Sequence, residues 1–222
     1  MTYEKLVNEP MPDYTKGEEI FNMVTHIVGG ALGVIILIST VIIGAIKNIS
    51  PWAIVGLIIY GLSVISLYTV SSIYHGLHAS VGKRVFRILD HCTIYFLIAG
   101  TYTPICLLTM GNCWQMYTIL AIEWIGAALG ITLNAIDMNN KIVSVVSMCL
   151  YILLGWSLVF VPHAIGFLTP VEFGFILAGG ILYMIGVCFF GIKKRYAHSI
   201  WHIFCVLASI SQYIGVLYIL FR

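Results

Sequence analysis

Residues 20–46 read IFNMVTHIVGGALGVIILISTVIIGAI, with no Lys, Arg, Asp or Glu among them. As a helix at roughly 1.5 Å per residue this stretch is about 40 Å long. A hydrocarbon core of about 30 Å needs roughly 20 mainly apolar residues. The stretch is therefore long enough to cross a bilayer. Further charge-free runs cover 48–82, 91–122, 124–136, 142–171, 173–192 and 196–221. Residues 91–136 taken as one helix would measure about 69 Å, too long for one crossing. Met110-Gly111-Asn112 breaks them into two spans and leaves Glu123 inside the second. Barrel strands would alternate in polarity over roughly ten residues, and these runs do not. The chain reads as all-α, an integral membrane bundle of seven transmembrane helices near 20–46, 52–77, 87–109, 114–136, 142–162, 172–192 and 197–221.

Composition agrees. Of 222 residues 60% are apolar and 9% charged, against about 25% charged in soluble domains. Such a chain is neither a soluble globule nor disordered. Its net charge of +2 is too small for a phosphate-binding surface, so no nucleic-acid partner is expected. The first nineteen residues carry Glu4, Lys5, Glu9, Asp13, Lys16, Glu18 and Glu19. With no apolar core they do not form a signal peptide. We read 1–19 as a polar, mobile cytoplasmic tail and 20–222 as a single transmembrane domain. Nine basic residues (Lys5, Lys16, Lys83, Arg84, Arg87, Lys141, Lys193, Lys194 and Arg195) fall on one side of this topology. Lys47 and Arg222 fall on the other. The positive-inside bias places the N-terminus in the cytoplasm and the C-terminus outside. None of the six cysteines forms a Cys-x-x-Cys pair, and no disulfide framework is expected.

Ionisable groups inside a bilayer are costly and mark function. His198 and His202 stand four residues apart near the start of the last span, on one helical face. Cys205 and Ser209 extend that face, which must look into the bundle. Ser71 and His75 repeat the spacing at the end of the second span, and Arg87-Ile88-Leu89-Asp90-His91 opens the third. The topology puts His75, Asp90, His198 and His202 in one layer near the cytoplasmic face. Three imidazoles with an open position form the ligand set of a catalytic zinc. Asp90 would then orient the water or act as general base. The plainer reading is a histidine pair hydrogen-bonded across the bundle. His78 rivals His75, three residues on and nearer the water. His91 reads as a packing neighbour of Asp90. His163 is on the wrong side to serve as a ligand. Glu18, Asn22, His26, Gly29 or Gly30, and Gly33 share a face of the first span. They form either a helix-start and packing motif or a network supporting the metal. Glu123 sits near the midplane, protonated or hydrogen-bonded to another helix. Thr101-Tyr102-Thr103-Pro104 reads as a kink whose Thr hydroxyls satisfy freed carbonyls.

Four motifs now stand in order: Glu18-Glu19-x-x-Asn22-x-x-Thr25-His26, Ser71-Ser72-Ile73-Tyr74-His75, Arg87-Ile88-Leu89-Asp90-His91 with Ile98-Ala99-Gly100-Thr101-Tyr102-Thr103-Pro104, and His198-Ser199-Ile200-Trp201-His202. Together they resemble the bacterial hemolysin III family, within the progestin and adipoQ receptor superfamily, over almost the whole chain. The resemblance implies zinc held by His75, His198 and His202, with Asp90 and Ser71 around the metal-bound water and the N-terminus inside. It implies a zinc-dependent hydrolase of a lipid amide or ester, related to ceramidases. Its setting would be the bacterial cell (cytoplasmic) membrane, with membrane lipid as partner and lipid homeostasis as role. Two other functions stay open: a membrane-state sensor or receptor with purely structural zinc, and a channel or cytolysin of haemolysin type.

Overall fold

The computed structural model describes residues 3–8, 10–192 and 194–222, and every regular element in them is helical. Glu9 and Lys193, used above, lie outside the described residues, as does the Lys5 side chain. The order is α1 (Tyr3–Val7), α2 (Lys16–Ile46), α3 (Pro51–Gly76), α4 (Val81–Thr109), α5 (Trp114–Asp137), α6 (Lys141–Gly155), α7 (Ser157–Phe160), a 3-10 turn (Ala164–Phe167), α8 (Pro170–Phe190) and α9 (Ala197–Phe221). Six of these, α2, α3, α4, α5, α8 and α9, are long and apolar enough to cross a membrane. The chain is a multi-pass membrane protein. Its outer faces carry Ile38, Ile42, Trp52, Ile125 and Leu129, all exposed. In water such a surface would be an interaction patch; in a bilayer it is the solvated side.

Local chemistry sets where the helices start. Thr15 and Glu18 form a capping box, so α2 begins at Lys16 rather than at the expected Ile20. The Ser80 hydroxyl accepts the Lys83 N–H, which starts α4 at Val81, six residues before the expected 87. Pro51 and Pro170 occupy first helical positions.

The expected fifth span, 142–162, is broken. It consists of the 15-residue α6 and the four-residue α7 on either side of Trp156. The Tyr102 hydroxyl donates to the Gly155 carbonyl at the break, at 2.5 Å. At roughly 1.5 Å per residue α6 spans only about 22 Å. The Thr101 and Thr103 hydroxyls do bond carbonyls, but those of Leu97 and Ala99. The carbonyl that Pro104 leaves without a helical donor is that of Gly100, four residues back. A Thr side chain reaches its own i−4 carbonyl, so neither threonine serves it.

Helices α2 and α3 pack backbone against backbone. A Cβ on Gly61 would stand 2.7 Å from the Leu37 Cα, and one on Gly29 would stand 2.5 Å from the Tyr68 ring. Only glycine allows these two backbones so near each other. The opposed ends of the bundle are fixed by contacts. Arg87 at the start of α4 donates to Asn139, in the α5–α6 turn. At the far end Arg222, after α9, donates to the Phe167 carbonyl just before α8.

Candidate metal centre

Two helix ends deliver the three histidines. His75 sits in the last turn of α3; His198 and His202 sit in the first two turns of α9. Each offers one ring nitrogen to a cluster whose members lie within 4.8 Å of one another. Nε2 of His198 and Nε2 of His202 are 3.1 Å apart. His75 and His202 are buried, and His75 Nε2 has no hydrogen-bond partner. A buried imidazole nitrogen without a partner is costly, unless a ligand takes its lone pair. Three imidazole nitrogens and an open side fit the donor set that zinc prefers.

The expected companions are near. Asp90 lines a cavity shared with His198 and His202, its carboxyl flanked by the His75 ring and the Ser71 hydroxyl. It stands outside the nitrogen cluster. His78 is exposed, so it does not replace His75. His91 lines the cavity against Phe190, with ring centroids 6.2 Å apart. His163 is exposed after Val161-Pro162, in a left-handed conformation away from the cluster. Cys205 and Ser209 are buried on the face of α9 that carries His202.

The first turns of α2 serve both sides of the site. Glu18, Asn22, His26, Gly29 and Gly33 are all buried on one face. Glu18 Oε1 accepts the Tyr196 N–H at 2.8 Å, immediately before α9. Asn22 Oδ1 accepts the Ser199 hydroxyl at 2.7 Å. The His26 ring stacks on His202, centroids 3.7 Å apart. Glu19, one residue round the helix, faces α3: the His75 Nδ1–H donates to its Oε2 at 2.6 Å and Lys83 Nζ donates to its Oε1 at 2.7 Å.

Sequence reading gave Glu19, Lys83 and Tyr14 no role at the site. Glu19 lies four residues before Met23, whose carbonyl accepts the Ser72 hydroxyl, so the packed bundle and not the sequence puts both on the α3-facing side. Tyr14 corrects the expectation of a mobile tail. Its ring stacks on His198 at 5.1 Å and tilts over His75 at 5.7 Å. Burial pushes its hydroxyl well above the usual tyrosine range, so the ring is neutral. The Pro10 carbonyl accepts from Arg87 at 2.7 Å, which ties the tail to α4.

The cavity, of about 310 Å³, runs from Pro12 and Tyr14 past His198 and His202 to Trp156 and Gln212. Leu97, Tyr102, Met148, Tyr183 and Trp201 give it a mainly apolar wall. The charged and histidine side chains Arg87, Asp90, His198 and His202 thus gather at one end of a mainly apolar slot.

Residues 14–213 match the family model described as Haemolysin-III related. The chain belongs to the haemolysin III family. It is 38% identical to Hemolysin-3 of Bacillus cereus over 203 residues, 90% of this chain and 91% of that protein. It is 34% identical to a Hemolysin-3 homolog of Bacillus subtilis (strain 168) over 207 residues, 92% and 95% of the two chains. It is also 28% identical to the monocyte to macrophage differentiation factor of Homo sapiens over 185 residues, 79% and 72% of the two. All four motifs fall inside the haemolysin III match.

Proposed function

We propose that this haemolysin III family protein is a zinc-dependent hydrolase of a lipid amide or ester bond, acting within the bacterial cell membrane. His75, His198 and His202 hold the ion. The observation that carries this reading is the imidazole trio, with His198 and His202 lining the polar end of an apolar cavity and His75 Nε2 buried and unpartnered beside them. When bound, zinc in a three-imidazole site supplies an acidified water and polarises a carbonyl oxygen. Asp90 receives a proton from the attacking water at its carboxylate and passes one to the leaving nitrogen or oxygen. Ser71 donates a hydrogen bond that orients that carboxylate. The apolar wall takes the acyl chain and keeps bulk water from the reacting end.

The same reading includes a seventh crossing and an N-inside, C-outside orientation. Two contacts support the crossing: Asn139 accepts from Arg87 on the side of the histidines, and the Phe167 carbonyl accepts from Arg222 at the end of α9 away from them. The nine-to-two distribution of basic residues supports the cytoplasm as the histidine side.

Elemental analysis of purified protein tests the metal. Near-stoichiometric zinc is expected in wild type and its loss in His198→Ala/His202→Ala; metal-free wild type overturns the reading. Asp90→Asn separates hydrolase from sensor. It should keep zinc while lipid amide or ester turnover falls about 10²–10⁴-fold, the usual share of general acid–base catalysis. Zinc retained with lipid turnover unchanged in this variant would leave the metal a structural role.

A further inference from the structure

A metal-ligating histidine has two nitrogens, and the partner of one decides what the other offers. Here the partner of His75 is visible. Glu19 Oε2 lies 2.6 Å from His75 Nδ1. A carboxylate is acceptor only, so Nδ1 carries the hydrogen, and in the neutral ring Nε2 keeps its lone pair. That Nε2 is the buried atom with no partner. The second carboxylate oxygen, Oε1, is held by Lys83 Nζ at 2.7 Å. The same ammonium donates to the Leu77 carbonyl at 2.9 Å, and Leu77 is the C-cap of α3. The contacts close a ring. It runs from the end of α3 through Lys83 on α4 and Glu19 on α2, and returns to His75 on α3. Neither oxygen of Glu19 is free to turn, and the His75 side chain is fully buried.

We propose that Glu19 is the positioning residue of the metal site, fixing the tautomer and ring orientation of His75, and that Lys83 acts only by holding Glu19. This rests on the zinc reading above. A salt bridge that merely joins α2 to α4 would stabilise the fold without touching metal affinity, and that difference decides the test.

The full chain is purified in detergent as wild type, Glu19→Gln, Lys83→Met, the double variant and Ser157→Ala. Zinc affinity is read by competition with a chelating dye, and melting temperature is read without metal. Glu19→Gln should bind zinc about 10–100-fold more weakly, the usual cost of losing a partner behind a ligating histidine. Lys83→Met should lose less, and the double variant should be no weaker than Glu19→Gln alone. Ser157→Ala, remote from the histidines, should melt earlier with unchanged affinity. The visible bands of the Co²⁺-loaded protein should shift in Glu19→Gln and stay in place in Ser157→Ala. Wild-type affinity in Glu19→Gln, or an undiminished further loss from Lys83→Met in its background, overturns the proposal while the zinc site stands. Should Glu19→Gln fail to fold, Lys83→Met alone decides: affinity equal to wild type overturns the proposal. Wild type that binds no zinc overturns both.

Discussion

Glu123 shows how a single carboxyl is tolerated in the middle of a membrane helix. It is 0% exposed, and its Oε1 accepts the Ser157 hydroxyl at 2.6 Å. Ser157→Ala strands that oxygen. The expected cost is about 1–3 kcal/mol, read as a lower melting temperature in detergent with zinc content unchanged. An equal melting temperature would mean that Glu123 finds another donor. At this scale the sequence was legible where side chains recur on one face. The pairs Ser71/His75 and His198/His202 follow the helical repeat, and the depth of Asp90 followed from topology. Ser157 was not legible as a partner. It lies 34 residues from Glu123 and is turned toward it by the break at Trp156, which no Pro announces. Glu19 and Lys83 were hidden for a related reason. Each looks like an ordinary charge at a helix start until packing closes the ring through His75.

At the scale of elements, the α2–α3 contact sets the alignment on which the site depends. α2 carries Glu19 and α3 carries His75, so a change in their separation acts on both. Gly61→Ala would push a methyl against the Leu37 backbone. Overpacking of this kind costs about 1–3 kcal/mol. The variant should melt earlier and hold zinc less tightly, as thermal unfolding and zinc retention on dialysis would show. A variant with both properties at wild-type level would mean that the helix pair slides at no cost. Charge-free runs announced the long helices well, because lipid demands apolar residues all round. They announced helix starts poorly. Thr15 and Ser80 cap helices in polar sequence outside those runs, and a count of apolar residues passes over them.

For the whole molecule, the broken α6–α7 segment decides a question of parity. With six crossings both termini share a side; with seven they are opposed. Alkaline phosphatase fused after Arg222 should be active, since that enzyme matures only outside the cytoplasm, while a fusion at the N-terminus should be silent. Two silent fusions would remove the seventh crossing. The layer of histidines at one end was legible from topology alone, whereas the cavity beneath it was not. A cavity is the space left between helices, and only the packed bundle defines it. The placement of the trio also has a consequence for biosynthesis. His198 and His202 ride on α9 and meet a histidine made 123 residues before the first of them. Helices α2 to α8 all leave the ribosome before the three imidazoles can meet. A nascent chain interrupted before α9 therefore carries His75 but cannot gather the trio.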